Sequence, residues 1–143
     1  MPAFQMFDAF VLDLAKGVHQ LHAAGHTLKV YATNAAPSAS ADAVKADLAE
    51  ISAVFGYPSG GTDVQNDATQ SAGFLTVSGV TVVWTASGGD FGPFRYVVLY
   101  NDTATGDPLI GWWDLGSSVT IVDTKAFTSD FEDDILFTLE LAA

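Results

Sequence analysis

Residues 92–123 read GPFRYVVLYNDTATGDPLIGWWDLGSSVTIVD. β-Branched and aromatic residues dominate three apolar runs, and Asn, Asp, Thr and Gly collect between them, the chemistry of turns. The pattern predicts three strands, Phe94–Asn101, Leu109–Leu115 and Ser118–Val122. Neighbouring strand residues point to opposite faces, so Trp112 and Trp113 cannot share one core. Either both faces of that strand are covered, or one indole is exposed and available to a partner. Arg95, the sole arginine, stands between Phe94 and Tyr96 and needs a carboxylate or carbonyl partner, within the fold or on a neighbouring subunit. Trp112, Trp113 and Arg95 are therefore the candidate interface residues.

Working outward, further strands are predicted at Gly73–Val77, Val80–Ala86, Ala126–Phe131 and Ile135–Leu141. Their close spacing, with Gly, Asn and Asp between, suits an antiparallel arrangement rather than βαβ units. Towards the N-terminus, Phe7, Phe10, Val11, Leu14, Val18 and Leu21 recur at helical spacing, and Gly17 interrupts them. An amphipathic helix from Phe4 to about Lys16 is expected. Thr27–Asn34 reads as a strand, residues 35–41 as a small-residue loop, and Asp42 as the cap of a second short helix reaching about Ser52. Residues 56–63, GYPSGGTD, form a turn, and the polar stretch to Ser71 an exposed loop or weak edge strand. The expectation is one domain over residues 1–143: a mainly β antiparallel sandwich, jelly-roll or immunoglobulin-like, with a short N-terminal helix.

Composition limits function. Seventeen carboxylates face five cations, a net charge of −12. Phosphate backbones and anionic membranes are bound by clustered Lys and Arg, so neither nucleic acid nor a membrane surface is expected as partner. A basic protein surface suits the charge. Cysteine is absent, which excludes disulfides and thiolate metal sites. No apolar run approaches the roughly 20 residues of a membrane-spanning helix, and the N-terminus carries no basic residue of a signal peptide.

Catalytic and metal patterns are weak. His19, His22 and His26 would converge only on an unbroken helix, which Gly17 and Gly25 oppose, so surface or locally hydrogen-bonded histidines are expected. The run Asp130, Glu132, Asp133, Asp134 lacks the order of a calcium loop and reads as a charged turn. Asn101, Asp102, Thr105 and Asp107 read likewise as a hairpin loop. Glycines at 60–61 and 88–89 precede no phosphate-binding helix, and no nucleophile elbow occurs. The chain is expected to be a non-enzyme without cofactor or metal.

Several elements in order carry a resemblance: His19–Gln20–Leu21, Leu28–Lys29–Val30, Asn34–Ala35–Ala36–Pro37, the G-Y-x-x-G-G turn at Gly56–Gly61, V-x-W-T-A at Val82–Ala86, then RYVVLYNDT and PLIGWWDLG. This layout resembles small virion structural proteins of tailed bacteriophages, and Pro58–Ser59 departs from it only in the turn. The resemblance implies a virion protein, a homo-oligomer bound to the major capsid protein or another virion protein. The acidity disfavours the DNA-facing side of a capsid. Decoration (cement) of the outer head lattice is the leading expectation. A tail or neck component is the alternative, and a carbohydrate-binding or hydrolytic sandwich the second.

Overall fold

β7 (Phe91–Asn101) and β8 (Leu109–Ile121) form one long antiparallel hairpin at the centre of the molecule. The computed structural model describes residues 1–140. Two strands therefore stand where the sequence predicts three. Gly116 is the reason: at φ +90° it bends the chain without ending the strand. Tyr96 pairs with Asp114 but Phe94 with Val119, so five steps along β8 match two along β7. A bulge has absorbed the expected turn.

The remaining elements are β1 (Phe4–Met6), α1 (Asp8–Ala15), β2 (Leu28–Thr33), β3 (Thr62–Asp63), β4 (Asp67–Ser71), β5 (Phe74–Ser78), β6 (Val82–Thr85), β9 (Ala126–Ser129) and β10 (Ile135–Leu139). They form a five-stranded sheet in the order β1-β8-β7-β2-β3, a three-stranded sheet β10-β5-β4 and a pair β6-β9, with every pairing antiparallel. The protein is mainly β, 44% strand and 10% helix, a sandwich with one short helix.

The five-stranded sheet is buried on both faces. Val97, Leu99, Val30, Ala32 and Trp113 line the main core, which the other sheets close with Val77, Trp84 and Phe137. Tyr31, Val98, Tyr100, Leu109 and Trp112 line a second core on the opposite face, closed by Phe7 and Leu48. Its outer cover is the stretch after β2, with Ala35 and Ala39 packed against it. The small-residue loop thus has a surface to bury.

Two helical expectations are corrected. Phe4–Met6 is not helical but pairs with β8, because Phe4 there packs against Trp113 (5.0 Å) and stacks on Phe137 (5.2 Å). α1 then begins at Asp8 and turns Phe10 inward, leaving Val11 exposed rather than in the stripe. The second helix is a single 3₁₀ turn at Lys45–Asp47. Asp47 Oδ2 accepts the Ala43 and Val44 N–H groups at 2.8 and 3.1 Å, while Asp42 accepts from Ser38 N and caps nothing helical. The chain then runs extended beside β2, bridging Thr33 to Glu50, with Ile51 N donating to the Ala32 carbonyl at 3.1 Å.

Both tryptophans are enclosed, Trp112 at 6% and Trp113 at 3% relative exposure. The indoles fill two different cores, so Trp112→Ala and Trp113→Ala should each lower unfolding free energy by about 3–5 kcal/mol in urea titrations. A wild-type midpoint for either variant would show that its face is not packed as described.

Candidate functional site

The hairpin positions Arg95 and Asp114 on adjacent strands. Arg95 Nε donates to Asp114 Oδ1 at 2.8 Å and its terminal nitrogen to Oδ2 at 3.1 Å, a two-pronged pair. The guanidinium also lies 5.4 Å from the Tyr96 ring. Its hydrogen bonds hold the Asp114 carboxyl below the usual carboxylate range, helped by Gly116 N–H, and Asp114 in turn raises Arg95. Arg95 is thus paired within the fold. Trp112 and Trp113 are core side chains, so of the two alternatives the sequence leaves open, coverage of both strand faces is the one found.

A polar hub that sequence reasoning missed fastens the cover of the second core. Glu50 accepts from Tyr57 Oη (2.8 Å) and Gly60 N (2.7 Å) and pairs with Lys45 Nζ (3.1 Å). The Lys45 ammonium also stands 4.7 Å from the centre of the Tyr31 ring and 5.6 Å from that of Tyr100. Tyr31 donates to the Lys45 and Leu48 carbonyls, both at 3.2 Å, and Tyr100 to the Gly60 carbonyl at 2.6 Å. Burial foremost pushes all three hydroxyls above the ordinary tyrosine value, and Glu50 adds to it. They are fixed donors, not acids.

The histidines do not converge on one point. His22 is exposed, whereas His19 and His26 both meet Asn101. Asn101 Oδ1 accepts the Thr103 and Ala104 N–H groups at 3.0 Å each, so its Nδ2 must donate, to His19 Nδ1 at 3.0 Å and His26 Nδ1 at 2.9 Å. Both rings thereby accept at Nδ1. His19 is buried against Phe10, and its Nε2 has no partner. Asn66 ties the same loop by donating to the Leu21 and His26 carbonyls. Among the described residues, no three His, Asp or Glu side chains group as metal ligands.

Two surface features have chemistry suited to contact. At one end, the Phe55 turn, the Val122–Lys125 turn and β6 meet through Ser87 N to the Phe55 carbonyl, Ala86 N to the Lys125 carbonyl and Thr124 N to the Ala86 carbonyl. Phe55 and Val122 are exposed in these two turns. Phe55 sits at φ +50° beside Gly56 at +102° in a tight turn closed by Tyr57 N to the Val54 carbonyl. The second feature is a cleft of about 470 Å³ between the N-terminal segment and the turn before β10. Hydrophobicity alone would not have singled out Phe55, because its left-handed backbone is invisible in residue order. The chain matches no family model, no curated protein and no solved structure.

Burial pushes the His19 imidazole down to about 4 from its ordinary 6.5, with Asp13 opposing and His26 adding to the effect. The unfolded chain takes up that proton near 6.5 and the folded chain does not. Stability should therefore be full above that value and fall as pH drops towards 4, by up to about 3 kcal/mol from this residue. His19→Asn should flatten that part of the curve relative to wild type in urea titrations between these pH values; parallel curves would exclude His19 as the cause.

Proposed function

We propose that the protein is a virion structural protein of a tailed bacteriophage, decorating the outer face of the head lattice by protein–protein contact. The observation that carries a contact role is Phe55. A bulky residue in the left-handed region costs about 1–2 kcal/mol, and Gly, Asn or Asp would fit there without that strain. Its ring is nonetheless 48% exposed. Strain kept at an exposed aromatic supports a role outside the fold. Part of the ring lies on Gly89, where an added Cβ would come within 2.9 Å of it, and this packing fixes its direction.

The virion assignment rests on the motif resemblance. In the structure, the residues that carry it are packing and turn residues, consistent with a protein whose work is to hold shape. An acidic surface of net charge −12 supports an outward station, away from packaged DNA.

Particles of the encoding phage should contain the chain at on the order of hundreds of copies, as repetition over a symmetric shell requires. Tens of copies or fewer would move it to the neck or tail, and absence from particles would end the proposal. Phe55→Asn should leave the melting temperature equal or higher by up to about 5 °C. The same variant should reduce occupancy on heads several-fold in cosedimentation; unchanged occupancy would remove Phe55 from the contact.

A further inference from the structure

β1 and β10 each end a sheet. In β1, Phe7 N donates to the Ile110 carbonyl at 3.1 Å, and Gln5 stands opposite Trp112. Antiparallel ladders alternate, so the backbone groups of Phe4 and Met6 face away from β8, along an edge that no other strand pairs with among the described residues. The stacking of Phe4 on Phe137 brings this edge beside β10. The cleft lies at that seam.

Its walls are of two kinds. Phe4, Trp113, Phe131 and Leu136 make it apolar, with the Trp113 and Phe131 rings 5.0 Å apart. Glu132 and Asp133 line it as well, and both are exposed. Asp130 and Asp134 flank them in sequence. Among the described residues, no lysine or arginine lines the cleft. Met1 N donates to the Asp130 carbonyl at 3.3 Å. A volume of about 470 Å³ accommodates one or two side chains of an extended segment.

We propose that this seam docks an extended, cationic and apolar segment of a partner protein, which pairs with the free edge of β1 and seats an apolar side chain against Trp113 while its Lys or Arg neighbours meet Glu132 and Asp133. Strand addition supplies backbone hydrogen bonds, and the alternate side chains supply selectivity. The charge decides the occupant. A second copy of a chain carrying −12 is repelled, as is any anionic polymer, whereas a basic segment is steered in. The site is separate from the Phe55 end, so either can fail with the other intact.

The synthetic peptide acetyl-KVLVK-amide and its charge-reversed form acetyl-EVLVE-amide test this on the full chain, read by amide chemical shifts and tryptophan fluorescence. The lysine peptide should saturate, with shifts centred on Phe4, Met6 and residues 132–136, and the glutamate peptide should not bind. Raising salt from about 50 to about 500 mM should weaken the lysine peptide roughly tenfold. Glu132→Gln with Asp133→Asn should weaken it similarly and abolish the salt dependence; Asn suits the φ of +54° at position 133, so folding is preserved, and its melting curve checks that. Equal binding of both peptides, shifts centred elsewhere, no saturation at millimolar peptide, or self-association covering the same amides would each overturn the proposal.

Discussion

Val98 lies in register with Trp112 on one side and Tyr31 on the other, and Val97 with Trp113 and Ala32. These two rows point to opposite faces of one sheet, and all six side chains are buried. That double burial is the constraint on which everything else depends. A sheet apolar on both faces must be covered twice. The β4-β5-β10 and β6-β9 sheets and helix α1 cover one face. The other, among the described residues, is covered by Phe7 and the irregular chain between β2 and β3.

Irregular chain is a poor cover unless its backbone polar groups are met. This explains the hub around Glu50. Tyr31 and Tyr100 rise from the second core and donate to carbonyls of the covering loop, while Tyr57 Oη accepts from Ala32 N at 2.9 Å and donates to Glu50. The aromatic rings therefore serve as packing atoms at one end and as hydrogen-bond anchors at the other. Lys45 completes the arrangement, since its charge is met by Glu50 and by two ring faces. On the opposite end of β2, Asn66 and Asn101 do the same for the loop after α1, and the two histidines are acceptors in that network rather than ligands.

With the central aromatics committed inward, the exposed apolar side chains are left at the periphery. The Phe55 end is apolar and strained, and the β1-β10 seam is apolar with an acidic rim. Both lie where regular pairing stops, at a turn and at free strand edges, which are the places a sandwich leaves open for partners. Arg95 belongs to neither, because Asp114 satisfies its fork from the neighbouring strand.

Local chemistry determined much of this. The near-continuous apolar run of residues 94–101 made a central strand readable, and the adjacent tryptophans called for two faces. The Asn101–Asp107 stretch read as a hairpin loop because Asn caps its own following amides there. Other outcomes depended on contacts distant in sequence. Phe4–Met6 has a helical pattern yet became a strand, since pairing with β8 buries Phe4 between Trp113 and Phe137. Gly116 has a breaker's chemistry yet sits inside a strand, because β7 holds the pairing on either side of the bulge. Which tryptophan is exposed had no local answer at all. Neither is, because Phe7 and residues 35–48 close the core that holds Trp112, and Tyr31 from β2 ties that stretch down through the Lys45 and Leu48 carbonyls. Periodicity and turn chemistry act between near neighbours and so are written in residue order; burial depends on what packs from elsewhere, and only the folded chain decides it.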